Sequence, residues 1–268
     1  MTALQEAKGF VLDLDGTLIQ RTRSGHEPIA GARELLAAIR RSGRPFVIFT
    51  NASHVSPQVL ATELREGGLD VRDDEVLTPV CCAISFLGRR HRDAGVLAFC
   101  TPATHERLMR AGVRLVDAKD RFEVVFVAHP TDFDFDELEQ AARTITKGAA
   151  LLTASYVAAY SGADGPIFSR GAMVTAALSK VTGARPTIVG KPSRPAVREI
   201  VDRLDLPARE LVVIGDDVAL DIALGNLGGS HTVLVQTGIT GASPLGRLPA
   251  LQRPDESVAG IGELLDQL

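Results

Sequence analysis

Two aspartates one residue apart follow an apolar segment near the start of the chain. The run Gly9–Leu12 predicts a buried β-strand, and Asp13-Leu14-Asp15-Gly16-Thr17 comes directly after it. Ligands of open α/β sheets bind beyond the carboxyl ends of the strands, and residues i and i+2 of an extended chain share one face. Asp13 and Asp15 can therefore reach one cation or one substrate group, and a carboxylate can also attack phosphorus. An alternative interpretation of the same residues is an ordinary polar strand end that leads into a turn.

Thr50 and Asn51 follow a second apolar segment, Pro45–Phe49, that also predicts a strand. A hydroxyl and an amide at the end of a strand can together donate hydrogen bonds to phosphate oxygens. Threonine is also a common strand residue and asparagine a common turn residue, so this pair alone fits an ordinary strand end.

Lys191 lies in the run Gly190-Lys191-Pro192-Ser193, between a strand predicted at Thr187–Val189 and a helix that opens near Ser193. Its ammonium is a point charge for a phosphoryl group or for the carboxylate that attacks it. The phosphate-binding pattern GxxxxGK[ST] is absent. A lysine on the surface is an equally good interpretation of this motif by itself.

An acidic cluster follows the apolar segment Leu211–Ile214. Asp216 could share a hard cation with Asp13, since Mg²⁺ takes oxygen ligands and is often held by one or two carboxylates. Asp217 and Asp221 are four residues apart and would face the same way on a helix. Acids that complement the dipole at a helix N-terminus would give the same pattern.

The elements that must position these residues alternate between short apolar strands and amphipathic helices, which predicts an α/β fold with a parallel sheet. Helices are predicted at Pro28–Ser42, from Ser56-Pro57 to Glu66, at Phe135–Lys147, Gly171–Val181 and Gly260–Leu268, and a further helix is predicted to begin with Val80–Leu87. Further strands are predicted at Gly95–Cys100, Phe122–Ala128, Ala149–Thr153 and Thr232–Val235, and loops at Gly162–Gly165 and Gly238–Pro244.

Composition and charge narrow the class of protein. The 268 residues are 45% hydrophobic, which is enough for a sizeable core, and carry a formal charge of −4. With this charge, no Trp and two Tyr, we expect no nucleic-acid partner. No apolar run approaches the length of a membrane span and the N-terminus lacks a signal segment, which predicts a cytoplasmic protein without membrane contact. Cys81, Cys82 and Cys100 lack zinc-type spacing and are expected to be buried free thiols.

Taken in this order, the four polar motifs resemble those of the haloacid dehalogenase superfamily, whose pattern is DxDGT, a strand-end Thr or Ser, a Lys, and GD with further acids. The finer pattern, with Thr50-Asn51, GKPS, Gly215–Asp221 and then Val233–Gly238, is similar to the type IIA branch of NagD-like and 4-nitrophenylphosphatase-like proteins. The resemblance covers essentially the whole chain. It implies a Rossmann-like parallel-sheet core at residues 1–78 and 187–268, with an α/β cap domain inserted at 79–186.

The resemblance also implies roles for the motif residues. Asp13 would be the nucleophile, and Asp15 the general acid that later activates water. Mg²⁺ would be held by Asp13, Asp216 and the main-chain carbonyl of Asp15. The phosphoryl oxygens would be bound by Thr50, Asn51 and Lys191, with Thr17, Asp217 and Asp221 behind these groups, orienting the lysine or metal-bound water.

The implied activity is that of a Mg²⁺-dependent phosphatase for a small phosphorylated metabolite, and the resemblance also allows a homodimer. A phosphomutase, or a phosphate- or metal-binding regulatory module without turnover, are the alternative functions. The chain departs from the branch at Ala52, where a second Asn is common, and at Thr153-Ala154-Ser155-Tyr156, where Thr-Asn-x-Asp is common. Tyr156, His129 and Arg170 are candidate substrate contacts in the cap, although a structural or merely exposed role suits each of them as well.

Overall fold

Short buried strands alternate with helices along most of the chain, as the apolar pattern predicts. The computed structural model describes residues 2–22, 25–162, 165–241 and 246–268. The strands are β1 (Gly9–Leu12), β2 (Ile19–Thr22), β3 (Gly25–Pro28), β4 (Phe46–Phe49), β5 (Val76–Leu77), β6 (Val96–Phe99), β7 (Val124–Val127), β8 (Ala150–Thr153), β9 (Ala159–Gly162), β10 (Gly165–Phe168), β11 (Thr187–Ile188), β12 (Leu211–Gly215), β13 (His231–Val235) and β14 (Glu256–Val258). The helices are α1 (Ala3–Glu6), α2 (Ala32–Arg41), α3 (Pro57–Glu66), α4 (Pro79–Arg90), α5 (Pro102–Arg110), α6 (Phe135–Thr146), α7 (Arg170–Thr182), α8 (Arg194–Leu204) and α9 (Ala223–Gly228).

A six-stranded parallel sheet forms the centre of the molecule, with the strand order β14-β13-β12-β1-β4-β5. Every residue of β1, β4 and β12 is buried, as expected for parallel strands that are covered on both faces. Because β1 lies between β12 and β4, the carboxyl ends of these three strands meet at one edge. This sheet confirms the predicted Rossmann-like architecture.

A second parallel sheet, with the order β11-β8-β7-β6, is inserted in the chain between β5 and β12. The strand predicted at Thr187–Val189 is shorter than expected and lies at the edge of this second sheet, where Thr187 pairs with Leu152. We had expected the catalytic core to resume at residue 187. The predicted domain boundaries at 78/79 and 186/187 stay a proposal. Because β11 belongs to the second sheet, the chain returns to the first sheet only after this strand.

The two sheets share a hydrophobic cluster. It joins Val11 and Phe49 of the first sheet to Cys82 of α4 and to Phe126 and Leu152 of the second sheet. Helix α4 also packs against α8, a helix that contacts β4 of the first sheet. The inserted sheet is therefore held to the rest of the molecule by buried apolar contacts as well as by the connecting chain.

Capping residues, prolines and glycines set the helix boundaries. Helix α3 begins as predicted, with the Ser56 side chain accepting a hydrogen bond from the Val59 amide at 3.2 Å and Pro57 in the first turn. Helix α2 begins at Ala32 and not at Pro28, because Pro28 ends β3 and Gly31 has a φ of +91°, which is outside the helical region. The antiparallel pair β2–β3 was not predicted.

The end of the chain and the cysteines differ in part from expectation. The last predicted helix is a 3₁₀ helix, Ile261–Gln267, and not an α-helix. Cys81 and Cys82 are buried free thiols as predicted, whereas Cys100 is half-buried. Residues 163–164 and 242–245, within the two predicted loops Gly162–Gly165 and Gly238–Pro244, lie outside the described residues. Among the helices that the structure describes, none has both the length and the apolar character that crossing a bilayer would require.

Phe126 lies in the cluster shared by the two sheets and is fully buried, while Phe135 at the start of α6 is 83% exposed. We expect Phe126→Ala to lower the free energy of unfolding by about 3–5 kcal/mol, because it removes buried apolar contacts and leaves a cavity. Urea unfolding followed by circular dichroism measures this. Phe135→Ala is the matched control and should change the free energy by less than about 0.5 kcal/mol. Equal losses in the two variants would contradict the shared cluster.

Candidate active site

The carboxyl ends of β1, β4 and β12 bring Asp13, Thr50 and Asp216 to the same edge of the first sheet. The main-chain pairing of β1 with β12 continues into the site, since the Asp13 amide donates to the carbonyl of Ile214 at 2.8 Å. All three side chains are buried. The sequence placed each of them at the end of an apolar strand, and the parallel order of the sheet makes them neighbours.

Lys191 reaches this edge from the segment that returns from the second sheet. Its side chain is 3% exposed, and its ammonium donates to Asp13 Oδ1 at 2.5 Å and to Asp221 Oδ1 at 2.6 Å. It also lies 5.5 Å from the centre of the Phe49 ring. A charge that is so deeply buried is stable only when it is paired and hydrogen-bonded, and Lys191 meets both conditions.

Asn51 fixes the main chain of Lys191. Its Oδ1 accepts from the Lys191 amide at 2.9 Å, and its Nδ2 donates to the Lys191 carbonyl at 3.1 Å. Nδ2 also lies 3.5 Å from Ser155 Oγ in the second sheet domain. Both ends of the Asn51 amide are thus occupied by the lysine segment, a contact that the sequence did not predict. The predicted contact of this side chain with phosphoryl oxygens remains a prediction.

Asp216 is packed against glycine backbone. Its Oδ2 accepts from the Ile239 amide at 2.6 Å. A Cβ on Gly238 would lie 1.9 Å from this oxygen, and a Cβ on Gly16 would lie 2.6 Å from it. Only glycine leaves room at these two positions, and Gly16 also has a φ of +83°, which favours glycine. The DxDGT glycine is therefore needed to admit the Asp216 carboxylate.

Asp217 and Asp221 do not face the same way, contrary to the helical prediction. The chain forms a π-helical turn at Val218–Ile222, and Asp221 is buried within it. Its Oδ2 accepts from the Asp217 amide at 3.1 Å, and its Oδ1 accepts from Lys191. The Asp217 side chain instead caps the turn, by accepting from the Ala219 amide at 2.7 Å.

Three carboxylates form a group that can hold a cation. One oxygen each from Asp13, Asp216 and Asp221 lie within 4.8 Å of one another. Asp13 Oδ2 is buried and has no hydrogen-bond partner among the described residues. Hard oxygen ligands, an orphaned buried carboxylate oxygen and the tight glycine backbone around Asp216 fit Mg²⁺. The predicted place of Asp221 behind the metal ligands stays a prediction, although one of its oxygens lies within 4.8 Å of oxygens of Asp13 and Asp216.

Burial and mutual repulsion raise the pKa of all three carboxyls when no cation separates them. Burial, with a further contribution from the Asp221 charge, raises the pKa of Asp13 to about 7. Burial and the Asp13 charge raise the pKa of Asp216 to about 8, and burial raises that of Asp221 to about 6 against the effect of Lys191. Burial alone would lower the pKa of Lys191, but Asp13 and Asp221 together raise it. The site is therefore short of positive charge.

Asp15 is held by a residue that the sequence did not suggest. Arg21, on the hairpin strand β2, donates from Nε to Asp15 Oδ1 and from Nη2 to Asp15 Oδ2, the latter at 3.2 Å. Thr50 Oγ1 lies 3.5 Å from Asp15 Oδ2. An isolated arginine in an unpredicted hairpin carries no signal in one sequence. Thr17, predicted to act behind the site, is fully buried, and its hydroxyl has no partner among the residues described.

The cap candidates lie in different settings. Tyr156 is 40% exposed. The His129 ring lies 5.1 Å from the ring of His54, a residue of the first sheet domain that was not predicted. Arg170 is exposed at the start of α7. Thr153 is fully buried, and its hydroxyl donates to the carbonyl of Ser155 at 2.9 Å, inside the second sheet domain.

Comparison with known proteins gives consistent similarities. The profile of the haloacid dehalogenase-like hydrolase family matches residues 10–114, and that of the HAD-hydrolase-like family matches residues 188–264. The chain is 28% identical to the ribonucleotide monophosphatase NagD of Escherichia coli K12, over 96% of this chain and 98% of that protein. It is also 28% identical to the sugar-phosphatase AraL of Bacillus subtilis, over 86% and 83% of the two chains. The solved p-nitrophenyl phosphatase of Archaeoglobus fulgidus superposes with a TM-score of 0.86 at 29% identity, over 98% of this chain and 100% of that chain.

We expect the chelator-treated protein to become less stable as the pH rises from about 5 to about 8. Asp13, Asp216 and Asp221 have raised pKa values when folded, so the folded state binds more protons than the unfolded state in this window. Raising the pH then favours unfolding. The Tm from differential scanning fluorimetry should fall by at least about 3 °C, since one pKa unit corresponds to about 1.4 kcal/mol and 1 kcal/mol to about 2–4 °C for a chain of this size.

Mg²⁺ should raise the Tm more at pH 8 than at pH 5, because protons compete with the metal for the same carboxylates. Asp216→Asn is expected to flatten both dependences, whereas Asp70→Asn, at an acid that is 82% exposed, should leave them unchanged. A Tm that stays level or climbs over this pH range in the chelated wild type would contradict the raised pKa values.

Proposed function

Because the chain belongs to the haloacid dehalogenase-like hydrolases, as a NagD-like phosphatase, we propose that it hydrolyses a small phosphomonoester through an aspartyl-phosphate on Asp13. The observation that carries the proposal is the state of the Asp13 carboxylate. It lies at the centre of the catalytic edge, Lys191 holds one of its oxygens, and its other oxygen has no partner among the described residues. Such a carboxylate is oriented, and its unpartnered oxygen is open to a cation or to a phosphoryl group.

Mg²⁺ is the proposed cofactor. Asp13, Asp216 and the main-chain carbonyl of Asp15 would hold it, and Asp221 lies close enough to contribute. When bound, Mg²⁺ neutralises part of the charge that the carboxylates and the phosphoryl group bring together. The raised pKa values of Asp13 and Asp216 in its absence support a site built for an additional cation.

The reaction proceeds in two steps that use the chain's own acids. In the first, the Asp13 carboxylate attacks phosphorus, the bond from phosphorus to the ester oxygen breaks, and Asp15 gives its proton to the departing oxygen. In the second, Asp15 takes a proton from water, the water oxygen attacks the acyl phosphate, and Asp13 is regenerated as inorganic phosphate leaves. Lys191 keeps Asp13 in line throughout, and the Thr50 hydroxyl, which already lies near Asp15, binds a phosphoryl oxygen.

The names of relatives support a small phosphorylated metabolite as the substrate. They include a sugar-phosphatase, a ribonucleotide monophosphatase and a dihydroxyacetone phosphatase. The homodimer and the cytoplasmic location stay predictions.

Asp13→Asn should lower the turnover of 4-nitrophenyl phosphate in excess Mg²⁺ by at least about 10³-fold, because an amide cannot form the acyl phosphate. Asp15→Asn should lower it by about 10²–10⁴-fold, the usual contribution of a general acid and base. Released inorganic phosphate measures turnover, and acid quenching after mixing with ³²P-labelled substrate measures the phosphoenzyme. Only Asp15→Asn should retain label on the protein, since it forms the acyl phosphate slowly and hydrolyses it more slowly still.

Asp70→Asn serves as the control for loss of an exposed acid and should behave as the wild type. Removal of Mg²⁺ with a chelator should abolish turnover, and re-addition should restore it. Retained activity in Asp13→Asn would exclude this residue as the nucleophile. Label that passes to a second substrate hydroxyl, without release of inorganic phosphate, would favour the phosphomutase.

A further inference from the structure

Two histidines from different sheets meet beside the catalytic edge. The His54 and His129 rings lie 5.1 Å apart at an angle of 45°, with His54 in the loop after β4 and His129 just after β7. A hydrogen bond of 3.1 Å from Thr104 Oγ1 of α5 to the carbonyl of Ser53 holds the His54 loop to the inserted domain. The pair therefore lies at the junction of the two domains and is fixed from both sides.

Arg170 adds a fixed positive charge next to His129. A Cβ on Gly171 would lie 2.0 Å from the carbonyl oxygen of Ala128, so the start of α7 is pressed against the residue that precedes His129. Arg170 is exposed and has no ion-pair partner among the residues described. Its charge, after burial and the neighbouring His54, lowers the pKa of His129.

Arg21 closes the row on the side of the catalytic acids. It contacts Asp15, and burial, followed by the Arg21 charge, lowers the pKa of His54. Among the described groups, Asp15 is the one carboxylate whose charge raises the pKa of His54. No described carboxylate has such an effect on the pKa of His129. The four side chains Arg21, His54, His129 and Arg170, here called the basic rim, thus form a surface rich in hydrogen-bond donors, in which Arg21 is paired with Asp15 and the Arg170 charge has no carboxylate partner among the described residues.

The basic rim adjoins Asp15, the proposed general acid. In the proposed reaction Asp15 protonates the departing ester oxygen, so the carbon skeleton of the substrate extends from the phosphoryl group past Asp15. Arg21 touches that aspartate, and the other three residues continue the row from the first sheet domain to the second. A guanidinium group without a carboxylate partner and two imidazoles are groups that bind carboxylates and phosphates.

We propose that the basic rim binds an anionic substituent of the leaving group, so that the preferred substrates are phosphomonoesters that carry a carboxylate or a second phosphate. This inference rests on the proposed phosphatase function and narrows its substrate class. The binding energy of a remote charged group can then position the ester for attack by Asp13.

A matched set of three-carbon esters tests the inference. The set is 3-hydroxypropyl phosphate, 3-(phosphonooxy)propanoate and propane-1,3-diol bisphosphate, which differ only in whether the far end is neutral, a carboxylate or a phosphate. We expect kcat/KM for at least one anionic ester to exceed that of the neutral ester by at least about 10-fold, the effect of about 1.4 kcal/mol. The faster of the two anionic esters identifies which anion the rim takes.

Arg170→Gln and His129→Gln should each lower the ratio of anionic to neutral kcat/KM toward one, mainly through KM, because they remove contacts to the remote group and leave the Asp13 chemistry in place. Lys180→Gln, at an exposed lysine near the other end of α7, is the control and should keep the wild-type ratio. The Tm of each variant verifies folding.

A wild-type ratio near one, or a ratio that Arg170→Gln and His129→Gln both leave unchanged, would overturn the anionic substrate class while the phosphatase function stands. A protein that turns over none of the esters, 4-nitrophenyl phosphate included, would overturn the proposed function and this inference together.

Discussion

The ammonium of Lys191, enclosed between the carboxylates of Asp13 and Asp221, is the interaction on which the rest of the site depends. Removing either member of such a buried ion pair typically costs about 3–5 kcal/mol, because the remaining charge is left without water or a partner. The pair also sets the direction of the Asp13 carboxylate, with one oxygen bound to the lysine and the other free. One contact thus contributes both to the stability of a buried charged site and to the orientation of the carboxylate proposed as the nucleophile.

The surrounding structure maintains this contact. The Asn51 amide holds both main-chain polar groups of Lys191, so a strand end of the first sheet fixes a segment that arrives from the second. The π-helical turn folds Asp221 back under Gly215, where a Cβ would come within 2.3 Å of the carboxyl group. Three buried carboxylates remain against one ammonium, and this imbalance accounts for the affinity for a divalent cation that we propose.

Much of the catalytic edge was predictable from the sequence, because apolar strands of a parallel sheet bring the residues that follow them to one place. Asp13, Thr50 and Asp216 follow from this rule alone. The position of β11 at the edge of the second sheet could not be predicted by this rule. The sequence of a short apolar strand does not show to which of two sheets the strand belongs. The π-helical turn was missed because an i, i+4 pair of acids looks the same in an α-helix. The roles of Arg21 and His54 could not be found at all, because their neighbours are set by tertiary packing of a hairpin and a loop without periodic patterns.

The strand order of the first sheet has a consequence for how the protein is made. One of the two neighbours of β1 is β12, and β12 is synthesised only after β1 and the entire inserted sheet. Asp13 therefore exists in the nascent chain long before Lys191, Asp216 and Asp221 can surround it. Non-local pairing of this kind is slow and leaves an apolar strand edge open in the meantime. An incompletely translated fragment therefore carries Asp13, the proposed nucleophile, without the groups that surround it in the folded protein.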